Sequence, residues 1–335
     1  MKEKIIKKIA LKIGISHIAD LLTRLSGSEL NSLLLEVFSK RGQHTSPALL
    51  LQQYQANRFV HPADTDMIGL LTTELKILQL LRGRHFQPIE LSPAAQWGSC
   101  SLLGPVDQKK IISATRNTEI MADATNTIAL HIAGLRKSGK TPSPAATPLS
   151  PSIPALAPGS SAPAGDDTLR FCTVHRHIRA QELKEKGHTA HFKIGCLVTG
   201  GRDTGNCHFE STHLGEHMQA LDNVFRNVFG ITKIRFKLQK REGYKDSDGL
   251  LEKVTAHLRK NNAGLELTRE DPPATNNYYK GIQYKMIIGI NDQEIEIADG
   301  GFVDWTQQLL DNKKERLLIS GFGLDLLYKM QNTLV

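Results

Sequence analysis

Two stretches decide how this chain folds: LRFCTVHRHIRAQ at 169–181 and HFKIGCLVT at 191–199. Leu169 to His175 and His191 to Thr199 each read as a strand. Between them come Arg176 and Arg179, with Lys193 and Arg202 on the return stretch. Cations gathered at one end of antiparallel strands suit phosphate or carboxylate recognition, because a guanidinium binds such groups bidentately. The plainer reading is a solvated basic edge. His175, His177, His188 and His191 flank the same strands. They could hold a metal or an anion, or serve as ordinary polar strand and loop residues.

Downstream of this pair, strand and helix patterns alternate. Glu210 to Phe229 reads as a helix with Leu214, Met218, Leu221, Val224 and Phe225 on one side and Gly230 closing it. Lys233 to Leu238 is a strand and Leu250 to Asn261 a helix. Tyr284 to Ile290 and Gln293 to Ala298 are strands either side of Asn291-Asp292, a turn signal. Trp305 to Asp311 and Gly323 to Met330 read as short helices. Hairpin-joined strands with interspersed helices predict an α+β domain, an antiparallel sheet flanked by helices.

Toward the N-terminus, residues 138–167 hold seven of the fourteen prolines. Pro, Ala and Ser at that density bury too little apolar surface to order a core, so a flexible linker or insertion is expected there. It separates 66–137 from 168–335. Residues 1–65 form a further unit with nine Lys/Arg against five Asp/Glu. Residues 3–25 are expected to be one amphipathic helix, broken at Ser26-Gly27-Ser28. Ser28 would cap a second helix through Phe38, Gly42 would end it, and Thr45-Ser46-Pro47 would start a third. This small N-terminal helical module is expected to be a packed bundle with a solvated lysine edge. Its basic helix is also suited to RNA or to a protein partner.

Composition narrows the class. The 335 residues carry 42 Lys+Arg and 34 Asp+Glu, formal net charge +8, with 40% hydrophobic residues. Apolar periodicity rules out a wholly disordered protein. No run approaches 18 apolar residues, so no membrane span is expected. Cys100, Cys172, Cys196 and Cys207 are scattered without CxxC spacing. A disulfide scaffold or structural zinc is therefore not expected, and a cytoplasmic location is. His213-Leu214-Gly215-Glu216-His217 matches an inverted zinc-peptidase string, with Glu294 or Glu296 available as a third ligand. Three fixed letters in a sequence with thirteen histidines are a weak signal, so no metal site is assigned.

The Arg176–Gln181 segment, a loop and His191-Phe192-Lys193-Ile194 together resemble motif 2 of class II aminoacyl-tRNA synthetases. The pattern is most similar to the histidyl enzyme and its paralogue, the ATP phosphoribosyltransferase regulatory subunit. Leu78 to Pro93 resembles motif 1, and Thr115-Arg116-Asn117-Thr118-Glu119 resembles the amino-acid-binding loop. Tyr278-Tyr279-Lys280-Gly281 resembles the family's Tyr-Tyr-Thr-Gly segment, and Asp299-Gly300-Gly301-Phe302 its Gly-Gly turn. Ile319 to Tyr328 resembles motif 3, and Glu216 matches a glutamate in the helix after motif 2.

The resemblance implies a homodimer through residues 78–93 and a pocket for an amino acid or nucleotide, with ATP and Mg as cofactors. It implies that Glu119 holds a ligand amino group beside Arg116. It implies that Arg179, or Arg176 in the other register, faces a carboxylate or phosphate, and that Phe192 stacks on adenine. Tyr278 and Tyr279 would line the side-chain pocket, and Gly300 and Gly301 would admit the ligand to the backbone. Departures follow. Tyr328 is aligned where motif 3 places an Arg, Ala274 falls near another family Arg, and the anticodon-binding domain is expected to be missing. The expected function is therefore a synthetase paralogue with a regulatory or binding role. The alternative is an adenylating ligase charging tRNA or another acceptor.

Overall fold

The computed structural model describes residues 2–140, 167–181, 189–270, 278–290 and 293–332. The Pro-rich segment apart from its two ends, the Asn291-Asp292 turn, His188 and Ala274 lie outside them.

An eight-stranded sheet organises the protein, in the order β1-β4-β5-β10-β9-β8-β6-β7. β4 (Leu169–Ile178) and β5 (His191–Arg202) pair antiparallel with Arg176 opposite Lys193. β10 (Glu315–Gly323) lies on β5, followed by β9 (Gln293–Val303), β8 (Lys280–Ile290) and β6 (Ile234–Lys240), all antiparallel. Only the edges run parallel: β1 (Gln87–Pro88) on β4, and β7 (Glu266–Arg269) on β6. A small second sheet pairs β2 (Ala94–Gln96) with β3 (Thr118–Ile120). The α+β architecture read from the sequence is the observed one.

Helices cover both faces because the sheet residues are apolar on both. α5 (Met67–Gly83), α7 (His208–Phe229), α8 (Ser247–Asn261) and α10 (Leu324–Asn332) share one core, with Ile77, Met218, Phe225, Phe236 and Tyr284 enclosed. On the other face α6 (Ala124–Ser138) and α9 (Trp305–Leu310) pack Ile128, Ile132 and Trp305 against Phe171, Val198 and Ile319. Gly230 closes α7 at φ 66, the left-handed conformation that a glycine adopts without a Cβ clash.

The N-terminal helices depart from the expected bundle. They are α1 (Lys2–Ile13), α2 (Ile18–Leu22), α3 (Gly27–Gln43) and α4 (Pro47–Ala56). The first break falls at Gly14, φ 70, so residues 3–25 are two helices rather than one. Ser26, not Ser28, caps α3, in a capping box with Glu29. Ser46 caps α4 with Pro47 in its first turn, as expected. None of α2, α3 and α4 holds a buried residue. Ile5, Ile9, Leu33, Phe38 and Leu50 stay exposed. A bundle core needs enclosed apolar side chains and α2, α3 and α4 have none, so the packed-bundle expectation is corrected. Where this segment returns to the sheet, residues 57–66 form a strap. Arg58 Nη2 donates to the Ala180 carbonyl at 2.7 Å, and His191 Nε2 lies 2.7 Å from the His61 carbonyl.

Candidate functional site

A cleft of about 590 Å³ opens between the end of the β4–β5 hairpin, the N-terminus of α6 and the β9–β10 strands. Its wall carries Asp123, Tyr278, Tyr279 and Asp299, with His177 and Cys196 beside them. Lys110 and Arg179 stand on the lining as exposed cations. The backbone of Gly321 to Gly323 supplies the remaining side, where β10 gives way to α10.

Local chemistry fixes each group. Asp123 is the N-cap of α6: it accepts from the Thr125 amide at 2.9 Å and the Thr125 hydroxyl at 2.7 Å. Its other oxygen accepts from the Tyr278 hydroxyl at 2.8 Å. Tyr279 donates to Asp299 Oδ2 at 2.9 Å. The two rings meet edge to face, with centroids 4.9 Å apart. Burial pushes both phenols well above their ordinary range, so they remain donors. Burial also raises the Asp299 carboxyl, and the Tyr279 hydrogen bond opposes that. His177 is fully buried, and burial pulls it down to about 4. It is therefore neutral, with Nε2 accepting from the Ala124 amide at 2.9 Å and Nδ1 donating to the His175 carbonyl at 2.9 Å.

The predicted site residues divide. Arg179, Tyr278 and Tyr279 line the cleft. Arg179 also lies 5.4 Å over the ring of Phe192, which stacks on His177 at 6.4 Å and is not part of the cleft wall. Arg176 turns to Asp325 at 3.3 Å and to His191 Nδ1 at 3.0 Å. Lys193 pairs with Glu74, and Arg202 at the far end of β5 pairs with Glu315 at 3.3 Å. The expected cation cluster is thus dispersed, because antiparallel register puts Arg202 at the opposite end from Arg176.

Glu119 is not among the residues that line the cleft. It is wholly buried on β3 and accepts from the amides of Gly98 (2.9 Å) and Cys100 (3.2 Å), from Ser99 Oγ (2.9 Å) and from Gln108 Nε2 (2.9 Å). Arg116 is exposed at φ 63, its amide bound to Asn31 Oδ1 at 2.7 Å. Gly300 and Gly301 serve sheet packing: a Cβ there would sit 2.6 Å from the Ile319 and Ile282 carbonyls respectively. Tyr328 donates to Asp66 Oδ2 at 3.2 Å, outside the cleft.

Asp123 and Asp299 are the residues that sequence reading missed. The signal for Asp123 was its place as a helix cap just after a strand. His213 and His217 do not converge either. His213 pairs with Glu216 at 2.8 Å, while His217 is buried between Thr199 (2.8 Å) and Ser320 (2.6 Å). Among the described residues no cluster of three His, Cys, Asp or Glu could hold a metal. Among them too, no helix is long and apolar enough to cross a membrane.

The fold is that of the class II aminoacyl-tRNA synthetase catalytic domain. It is similar to an ATP phosphoribosyltransferase regulatory subunit/histidyl-tRNA synthetase from Bacillus halodurans, at TM-score 0.57 and 13% identity over 82% of this chain and 83% of that one. Apo histidyl-tRNA synthetase of S. aureus matches at TM-score 0.55 and 10% identity, over 82% and 71% of the two proteins. A histidine–tRNA ligase subunit from Alicyclobacillus acidocaldarius matches at TM-score 0.54 and 11% identity, over 83% and 98%. No family profile and no curated protein matches the chain in sequence.

Proposed function

We propose that this chain is a class II synthetase-like binding protein whose cleft holds an amino acid or nucleotide for a regulatory or partner-binding role. One observation carries the reading. The cleft keeps carboxylates and phenol donors along one wall, but among the described residues its only lining cations are Lys110 and Arg179. Such a wall suits recognition of a polar small molecule. Adenylate formation demands more, because charge builds on the α-phosphate and pyrophosphate together.

The described residues do not form the expected ATP cradle. Phe192 is off the cleft wall and already in contact with His177 and Arg179, and Tyr328 is engaged by Asp66. No step of the proposal runs through ATP or Mg. Arg179 beside Lys110 favours the second reading, an ATP-dependent ligase passing an aminoacyl or acyl group to tRNA or another acceptor. The division at 1–65, 66–137, 138–167 and 168–335 belongs to the same proposal. So does a homodimer, with the basic N-terminal helices free to meet RNA or protein.

Thermal-shift screening of the full-length protein against the twenty amino acids, ATP and other nucleotides tests the first reading, since a ligand of the folded state raises the melting temperature by mass action. No shift with any of them would refute it. ATP–pyrophosphate exchange separates the two readings: negligible exchange is expected, and robust exchange with any amino acid would promote the ligase.

A further inference from the structure

Two of the three carboxylates on the cleft's lining, Asp123 and Asp299, are held in the same way. Tyr278 fixes Asp123 and Tyr279 fixes Asp299, each through a phenol hydrogen bond shorter than 3 Å. A second support holds Asp299 from behind. Arg241, 8% exposed, aims its guanidinium at Gln283 Oε1 at 2.9 and 2.6 Å and at Gln239 Oε1 at 2.9 Å. Gln283 Nε2 in turn points to Asp299 Oδ2 at 3.4 Å. The cation and the carboxylate are therefore linked only through an amide. Asp299 is oriented by hydrogen bonds from its neighbours and has no ion pair with them.

Among the described residues, neither Asp123 nor Asp299 has an ion-pair partner. Glu296, the third carboxylate on the lining, is already paired with Lys285 at 2.8 Å. Two half-buried carboxylates without an ion-pair partner face one cleft, and a cationic group bound there would hold both in the charged form, since an opposite charge offsets the cost of burying an anion. Across the same cleft, exposed Arg179 and Lys110 supply the opposite sign. The polarity is acid within and base at the mouth.

We infer that the ligand carries two nitrogen-centred cations and one carboxylate, which is the chemistry of a basic α-amino acid such as lysine, ornithine or arginine. One amine meets Asp123, the other meets Asp299, and the carboxylate meets Arg179. The inference rests on the cleft being a small-molecule site, as proposed above. It names Asp299 as the residue that sets specificity and Arg241–Gln283 as its positioning support. Lining phenols contribute the apolar faces between the two amines.

The test uses the intact protein and calorimetric titration with L-lysine, L-ornithine, L-arginine, L-norleucine and cadaverine. Norleucine is lysine without the side-chain amine, and cadaverine is lysine without the carboxylate. Lysine, or ornithine or arginine in its place, is expected to bind at least tenfold more tightly than norleucine, because a site built around a polar partner strongly rejects the analogue that lacks it. It is also expected to bind more tightly than cadaverine. In Asp299→Asn the preference over norleucine should vanish, while in Arg179→Ala it should persist with both affinities lowered. Norleucine binding as tightly as the basic amino acids, in the unaltered protein, overturns the inference and leaves the binding site standing. Cadaverine binding as tightly as lysine overturns the part assigned to Arg179. An Asp299→Asn variant that keeps the preference overturns the assignment of specificity. If no amino acid binds at all, the inference fails together with the reading beneath it.

Discussion

Replacing Glu119 by Ala should unfold part of the protein rather than empty a ligand site. Four donors converge on its carboxylate: two backbone amides, one hydroxyl and one side-chain amide, all between 2.9 and 3.2 Å. Burial alone would raise this carboxyl, yet the bonds from Gln108, Gly98, Cys100 and Ser99 outweigh it and hold the group below its ordinary range. Each buried donor left without a partner costs about 1–3 kcal/mol; Gln108 keeps Ser113 as a second acceptor, so even the low end for the other three gives about 3 kcal/mol. Glu119→Gln keeps the volume but turns an NH₂ toward one of the donors, so an intermediate cost is expected. Urea denaturation followed by the fluorescence of Trp97 and Trp305 measures both. A Glu119→Ala variant within about 1 kcal/mol of the unaltered protein would refute the reasoning, since a single lost surface hydrogen bond costs no more than that. Such a result combined with loss of ligand binding would restore Glu119 as an amine-binding residue.

Three further outcomes are expected. Gly301→Ala should lower stability by about 1–3 kcal/mol in thermal melts, the usual cost of overpacking, because the new Cβ would sit 2.6 Å from the Ile282 carbonyl and 2.7 Å from the Tyr279 ring; an unchanged melt counts against the close packing. His177 and His217 are both depressed by burial, to about 4 and about 3, so the unfolded protein binds their protons near pH 6.5 while the folded protein does not. Stability should be full above pH 6.5 and fall on acidification toward 4, by up to about 1.4 kcal/mol per pH unit for each histidine; denaturation midpoints that stay flat across that window would contradict it. Finally, α5 exposes Ile68, Leu71 and Leu75 along one side, and light scattering should report a dimer that Leu71→Asp with Leu75→Asp converts to monomer; a monomer at micromolar concentration in the unaltered protein argues against twofold pairing there.

The sheet and its helices were legible because their signals are local. His191 to Thr199, Glu210 to Phe229 and Lys233 to Leu238 carry their periodicity within the segment, and β5, α7 and β6 follow it to within a few residues. The site was legible only in part. Tyr278, Tyr279 and Arg179 were found through family order, and all three line the cleft. The setting of Glu119 was not legible because nothing in Thr115 to Glu119 announces the Gly98–Cys100 turn that fills its oxygens from about twenty residues away. Asp123 and Asp299 were passed over for a similar reason: their meaning depends on tyrosines 155 and 20 positions distant. The N-terminal bundle failed differently. Amphipathic spacing says that a helix has an apolar side, and says nothing about whether another element arrives to cover it.

The strap at 57–66 ties two free energies together. Arg58 holds the carbonyl of Ala180, the residue next to Arg179, and the His61 carbonyl meets the ring of His191 on the neighbouring strand. Thermodynamic reciprocity applies to any such tether: whatever steadies the hairpin's end from inside the cleft steadies the strap by the same amount, and whatever loosens the strap is felt at Arg179. A protein trimmed to begin at Asp66 would keep every strand of the large sheet, yet it would give up this hold beside Arg179, the one arginine on the cleft's lining among the described residues.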